Sequence, residues 1–238
     1  MRKDRLFNEM REISFEKDFN LHAEGSCLVK FGNTQVVCTA SIDEKTPRWL
    51  KNTGKGWVTA EYGMLPRSTN TRIDREASKG KQSGRTQEIQ RLIGRSLRSI
   101  TNLENLGERQ IKIDCDVLQA DGGTRTASIS GGFVALYLAV KKFKENYNIQ
   151  KPIIKEFIGA VSSGIIDGKG NLDLDYQEDS AAEVDANFII CESGKIAEIQ
   201  VTGEEYFFSE EQFDEIFKLA KIGIKEILNK QKEVLGLS

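Results

Sequence analysis

Asp121-Gly122-Gly123-Thr124-Arg125-Thr126-Ala127-Ser128 is the stretch on which the reading of this 238-residue chain turns. Upstream, Gln110 to Leu118 reads as a strand; downstream, Val134, Leu136 and Val140 carry a long helix. The run is therefore a strand-to-helix turn. Consecutive glycines let a backbone approach an anion closely, and a helix N-terminus supplies unpaired N–H groups and a positive dipole end. The hydroxyls of Thr124, Thr126 and Ser128 and the guanidinium of Arg125 add donors. Together they describe a pocket for inorganic phosphate or a phosphoryl group. Gly-Gly-Thr alone would be ordinary capping chemistry. The planar fork of Arg125, which matches phosphate bidentately, and the two further hydroxyls carry the reading to phosphate. The Walker pattern is excluded, because it needs a longer glycine spacing and a lysine before the Ser/Thr.

The charge of the chain is sorted. From Arg67 to Arg98 there are nine Lys and Arg (Arg67, Arg72, Arg75, Lys79, Lys81, Arg85, Arg91, Arg95, Arg98) against Asp74, Glu76 and Glu88, while the whole chain carries −2. Pro66 to Gly84 is rich in Ser, Thr, Asn, Gly and Lys and has no hydrophobic period, which predicts a mobile loop. Such a loop suits a nucleic-acid backbone, where neutralised phosphates release counterions. A charge run also suits a solvated face or a subunit contact, but its concentration in an acidic chain favours RNA or DNA. Ser83-Gly84-Arg85-Thr86 opens a helix over Gln87 to Leu103, a second position where an anion can be held. Ile89, Leu92, Ile93, Leu97 and Ile100 are the core face of that helix.

A third constellation is acidic: Asp173, Asp175, Glu178, Asp179, Glu183 and Asp185, just before the apolar strand Asn187 to Cys191. Crowded carboxylates repel unless a cation or proton intervenes, and their hard oxygens suit Mg²⁺ or Mn²⁺. Asp179 and Asp185 adjoin buried-looking sequence and are the metal candidates; the residues before Glu178 read as a surface turn. The calcium-hand spacing is absent.

Composition narrows the chemistry. Hydrophobic residues make up 39% of the chain, enough for one domain over 1–238, with no linker or low-complexity segment to divide it. No apolar run approaches a membrane span and no apolar segment follows Met1 to Arg5, which predicts a cytoplasmic protein with no membrane partner. Cys27, Cys38, Cys115 and Cys191 are widely spaced among strand-like residues and read as reduced core thiols. His22 is the single histidine, in a polar turn, so no Ser-His or Cys-His mechanism is served. Positioning, arginine, hydroxyl and metal remain.

The element order begins with strands at Ile13 to Phe19, Ser26 to Phe31 and Thr34 to Ile42, the last two flanking a Gly32-Asn33 hairpin turn, and Trp57 to Met64. After the two helices come strands at Glu156 to Ile166, Glu183 to Cys191 and Lys195 to Thr202. A closing helix carries Phe213, Ile216, Phe217, Ala220, Ile224, Ile227 and Leu228 on one face. Strands in runs followed by helices indicate an α+β fold with mixed sheets packed on helices.

With these residues assembled, the chain resembles the ribonuclease PH family of phosphate-dependent 3′→5′ exoribonucleases. The resemblance runs from Arg11-Glu12-Ile13 to the C-terminal helix. It is carried by Glu24 to Val29, Ala60 to Arg67, Ser83-Gly84-Arg85-Thr86-Gln87-Glu88-Ile89-Gln90-Arg91, Cys115-Asp116-Val117-Leu118-Gln119-Ala120-Asp121-Gly122-Gly123-Thr124-Arg125-Thr126 and Asp175 to Asp185. It implies a unit resembling the second domain of ribosomal protein S5, assembled as a homohexamer, a trimer of dimers. It implies that Arg85, Gly123, Thr124 and Arg125 bind phosphate, with Thr126 and Ser128 in the same turn. Asp179 and Asp185 match the catalytic, Mg²⁺-associated acids, and Arg67, Arg72 and Arg75 match RNA-binding positions. The expected reaction trims tRNA precursors beyond their CCA end, with inorganic phosphate as nucleophile and nucleoside diphosphates as products. The resemblance extends the expected substrates to ribosomal RNA and makes nucleotide addition from diphosphates the reverse reaction. Either aspartate suits the role of general acid to the leaving 3′-oxygen. Two rivals are a small-metabolite kinase or phosphatase, which gives the basic loop no role, and a non-catalytic RNA-binding ring subunit.

Overall fold

The computed structural model describes residues 2, 5–203 and 207–237. It opens with β1 (Ile13–Lys17), β2 (Gly25–Phe31) and β3 (Thr34–Asp43). Phe31 pairs with Thr34, so Gly32-Asn33 forms the two-residue hairpin turn, with Gly32 at φ 55°. β4 (Trp57–Met64) follows, then α1 (Glu76–Lys79), α2 (Gly84–Ser99), α3 (Leu103–Leu106), β5 (Gln110–Gln119) and α4 (Thr124–Asn146). β4 and β5 are parallel, and α2 lies in the long crossover that a parallel pair requires. These strands form one sheet in the order β1-β2-β3-β5-β4. The rest of the chain gives β6 (Ile158–Ile166), β7 (Lys169–Leu172), α5 (Tyr176–Ala181), β8 (Val184–Cys191), β9 (Ile196–Gly203) and α6 (Glu210–Leu235). Its strands make an antiparallel sheet in the order β7-β6-β8-β9. The expected α+β architecture is what the chain adopts.

α4 lies between the two sheets, which explains why its sequence is apolar nearly all round rather than on one stripe. On one side Gly131 lies against Val29 of β2, where a Cβ would collide with the valine side chain. On the other, Ser130 Oγ accepts from the Ala160 N–H of β6 at 3.1 Å. α2 buries Ile89, Leu92, Ile93 and Leu97 against the first sheet beside β4. α6 covers the far face of the second sheet, where Phe188 packs on Phe213 and Phe217. One apolar core runs from Met10 to Leu235 through both sheets. All four cysteines are buried free thiols, and burial pushes Cys27 up to about 12. His22 is exposed in its turn. Among the described residues no helix is long and apolar enough to cross a membrane.

Boundaries shift where capping outweighs hydrophobic period. α2 starts at Gly84 because Ser83 Oγ accepts from the Thr86 N–H at 3.1 Å. It ends at Ser99, where Asn102 caps the separate α3 by accepting from Asn105 N–H at 3.0 Å. The Pro66 to Gly84 segment, expected to be a mobile loop throughout, contains α1 and is tied down at both ends. Ser68 N–H donates to Leu65 O at 2.9 Å, and the amides of Gln82 and Gln90 bond reciprocally at 3.0 and 3.1 Å.

The acidic stretch is not the surface turn expected before Glu178. Asp173 is fully buried at φ 53°, in the left-handed region, and is held there by ion pairs. Arg11 donates to it from Nη2 at 2.7 Å and Nε at 2.9 Å, and the Arg11 backbone N–H adds a bond of 2.8 Å. Arg5 reaches both Asp173, at 3.3 Å, and Glu178, at 2.7 Å; Arg2 joins Glu178 at 2.6 Å. The segment before β1 is thereby fastened to the turn between β7 and α5. Burial pushes the Asp173 carboxyl up, but the Arg11 and Arg5 guanidiniums outweigh it and hold the group below its ordinary value of 3.8. A depressed carboxylate contributes stability that is complete above its unfolded value and is lost as pH falls through the folded one. Asp173→Asn leaves Arg11 buried without its counter-charge and should cost about 3–5 kcal/mol at neutral pH. Denaturant melts of both proteins at successively lower pH should show that gap narrowing below about pH 4. A gap that stays constant into acid would contradict the assignment.

Candidate active site

The glycine run closes β5 and opens α4. Gly122 and Gly123 stand at φ 73° and 65°, and Gly123 is the N-cap of α4. Gly122 abuts the backbone of Leu174 and Asp175: a Cβ there would come 2.8 Å from Asp175 Cα and overlap the Leu174 carbonyl. Glycine at this position therefore serves contact between two turns, a reason the sequence alone did not supply. The turn is held by Thr34, whose Oγ1 donates to Gly122 O at 2.6 Å and accepts from Asp121 N–H at 2.9 Å.

Three of the expected phosphate ligands stand in the first turns of α2 and α4. Thr124 begins α4 and its hydroxyl lies 2.9 Å from the Tyr62 hydroxyl of β4. Burial raises the Tyr62 hydroxyl pKa overall, outweighing the Thr124 hydrogen bond and the positive charges of Arg85 and Arg125. Arg85 is in the first turn of α2 and exposed. Arg125 extends from α4 towards the second sheet: Nη1 donates to Gln200 Oε1 of β9 at 3.0 Å and to Glu88 Oε1 of α2 at 3.3 Å. Gln200 Nε2 in turn donates to Glu88 at 3.1 Å. Arg85 thus stands in the first turn of α2 and Thr124 and Arg125 in the first turn of α4, where helix N-termini favour an anion.

Thr126 and Ser128 are corrections. Both are fully buried in α4; Thr126 Oγ1 donates to Gly123 O at 2.9 Å and Ser128 Oγ to Thr124 O at 2.8 Å. Helical spacing turns them into the core, so they brace the turn from beneath instead of facing an anion.

The second sheet supplies the other wall. Asp185 pairs with Gly164 and Thr202, and Asn187 with Ser162 and Gln200. Strand alternation places Asp185, Asn187, Gln200 and Thr202 on one face. That face looks towards α2 and α4, since Gln200 meets Arg125 and Glu198 meets Arg95 at 3.4 Å. A cleft of about 320 Å³ between them is lined by Glu88, Arg91, Arg95, Glu198 and Gln200. Asp179 is exposed on α5.

The remaining acids have other work. Asp173 and Glu178 belong to the arginine network, and Asp175 caps α5 through the Gln177 and Glu178 N–H groups. Glu183 accepts from Gly168 N–H at 3.1 Å in the β6–β7 turn. Asp179 on α5 and Asp185 on β8 are the two acids expected from the sequence to serve the site. Among the described residues no group of three or more His, Cys, Asp or Glu side chains is arranged to hold a metal.

Arg67, Arg72 and Arg75 are exposed along the loop after β4. Arg67 donates to Asn70 O at 3.1 Å, and Arg72 and Lys79 both meet Asp74, at 3.4 and 3.1 Å. Beneath the loop, Arg75 and Lys81 border a groove with Glu61, Asp114 and Asp116. Burial first, then the charge of Glu61, raises Asp114 and Asp116 above the ordinary carboxylate range. Sequence reasoning gave no role to Tyr62, Glu88, Gln200 or Arg11; Tyr62, Glu88 and Arg11 lie in the segments that carry the family resemblance, whereas Gln200 had no local signal.

Comparison with known proteins identifies the family. Sequence models of the 3′ exoribonuclease family match residues 9–142 as its domain 1 and 156–223 as its domain 2. The chain is 59% identical over 230 residues to ribonuclease PH of Mesorhizobium japonicum, covering 96% of each. It is 57% identical over 229 residues to ribonuclease PH of Brucella ovis, again covering 96% of each. Two solved structures share the fold at TM-score 0.77. Rice Rrp46 is 19% identical, over 97% of this chain and 98% of that one. A chain of the RNA-bound Archaeoglobus fulgidus exosome is 21% identical, over 95% and 90%. With both domain models matched and full-length relatives well above half identical, the chain belongs to the ribonuclease PH branch of the 3′ exoribonuclease family.

Proposed function

We propose that this protein shortens RNA from its 3′ end by phosphorolysis, with inorganic phosphate as the nucleophile, and that its substrates are tRNA precursors trimmed beyond their CCA end. The observation that carries the reading is Arg125, beside Thr124 in the first turn of α4, reaching Gln200 on the face of the second sheet that bears Asp185, with Arg85 in the first turn of α2. Phosphorolysis must bring two anions together. Two guanidiniums and the first N–H groups of α4 offset that repulsion and hold the phosphate for in-line attack. Tyr62 fixes the Thr124 hydroxyl from the core side. Glu88 and Gln200 orient Arg125, and a phosphate entering the cleft competes with the Glu88 carboxylate for its guanidinium.

Asp179 and Asp185 would hold a divalent cation, Mg²⁺ or Mn²⁺. When bound, that ion would offset charge on the scissile phosphate and the leaving oxygen. The phosphate nucleophile is already largely ionised at neutral pH, so the site needs no histidine. The exposed Arg67, Arg72 and Arg75 engage the RNA backbone. We propose assembly as a trimer of dimers; Leu21 and Trp49, 89% and 63% exposed, are apolar surface that a neighbouring copy would cover.

The direct test is a 3′-extended RNA incubated with Mg²⁺, with and without inorganic phosphate. Nucleoside diphosphates should appear only with phosphate; monophosphates released without it would contradict phosphorolysis. Arg125→Ala should lower kcat/KM for phosphate by about 100-fold or more, and unchanged turnover at subsaturating phosphate would remove Arg125 from the site. Replacing Arg67, Arg72 and Arg75 together with Gln should weaken RNA binding and reduce the salt slope by about 2. An unchanged slope in a binding titration would assign the loop another role.

A further inference from the structure

The phosphate-binding turn and the acid-bearing segment come from opposite halves of the chain, and one side chain touches both. Arg11, just ahead of β1, donates from Nη1 to the Asp121 carbonyl that starts the glycine run. From Nη2 it donates to Asp173 Oδ1 at 2.7 Å and to the Leu174 carbonyl at 3.3 Å, in the turn that leads into α5. A Cβ on Gly123 would lie 3.1 Å from the same Nη2, so the guanidinium rests against the N-cap of α4. Its side chain is only 9% exposed and its counter-ion Asp173 is fully buried. A second set of contacts joins the same turns: Tyr176 N–H donates to Asp121 Oδ1 at 3.4 Å, and Gly122 abuts Leu174 and Asp175.

We propose that Arg11 is a positioning residue for phosphorolysis, setting the N-terminus of α4 against the turn that carries α5 and Asp179. This rests on the phosphorolytic reading above. The guanidinium suits the role because it is a rigid planar fork. One edge grips the Asp173 carboxylate while another nitrogen reaches the Asp121 carbonyl, so the separation of the turns is fixed by covalent geometry. A lysine ammonium keeps the charge but not the fork, and cannot span both turns in the same way. In-line attack depends on close placement, and a lysine at position 11 retains the charge opposite Asp173, so Arg11→Lys loosens the link while keeping the ion pair.

The experiment is Arg11→Lys, with wild type assayed in parallel for nucleoside diphosphate release. KM and kcat are measured separately for phosphate and for RNA, alongside melting temperature and RNA-binding titrations. The expected result is a fall of ~10- to 100-fold in kcat/KM for phosphate, with KM for RNA and RNA affinity unchanged. A purely structural residue would not split the two substrates in this way. Asp173→Glu keeps the charge but is one methylene longer; it moves the same contact from the other side and should give the same split, so the inference does not depend on one variant folding. Wild-type phosphorolysis with unaltered phosphate kinetics in the folded variant or variants would overturn the positioning role alone. Losses that fall equally on both substrates and track melting temperature would do the same. A wild type that releases nucleotides without phosphate would overturn the phosphorolytic reading and this inference with it.

Discussion

The buried pairing of Arg11 with Asp173 is the constraint on which the rest of the structure depends. The charges of Asp173 and Glu178 are tolerable in the interior only because three guanidiniums from the N-terminal segment surround them. That compensation fixes the path of the chain before β1, seats the β7–α5 turn, and brings the glycine run onto Leu174 and Asp175 without a side chain between them. Both sheets then close on α4, and the cleft between them is a consequence of how they meet. A site assembled from two halves needs such a link, because neither half alone contains both the arginines and the acids.

The electrostatics of the cleft follow from the same geometry. Arg85 and Arg125 sit at helix N-termini, where backbone dipoles reinforce their positive field. An isolated pair of guanidiniums here would repel, and Glu88 provides an internal negative charge that keeps Arg125 extended across to Gln200. The acids lie on the opposing sheet and the turn before it, with the polar side chains of Asn187 and Gln200 between. Arginines thus predominate on the helix wall, with Glu88 among them, and face the sheet that carries Asp185.

Much of this was legible in the sequence, for identifiable reasons. The glycine run, the Ser83-Gly84-Arg85 opening and the Gly32-Asn33 hairpin are local signals, set by capping and turn chemistry within a few residues, and all three stand where expected. The amphipathic helices α2 and α6 declared themselves by period. What stayed hidden was tertiary. Thr126 and Ser128 look like phosphate donors until the helix rotates them into the core. Asp173 looks like a surface acid because nothing near it in sequence reveals that Arg5 and Arg11 lie against it. β7 and α5 are too short to carry a periodic signal, and Tyr62 and Gln200 matter only through partners far away in the chain.

The central claim, that phosphate and the RNA end meet in one cleft built by both halves, is tested most directly by a crystal structure. The protein would be crystallised with inorganic phosphate and an oligoribonucleotide whose last linkage resists cleavage. The account predicts phosphate against Arg85, Thr124 and Arg125 at the N-terminus of α4, with the terminal linkage of the RNA over Asp179 and Asp185. Phosphate bound away from those residues, or an RNA 3′ end that lies outside the cleft, would contradict it.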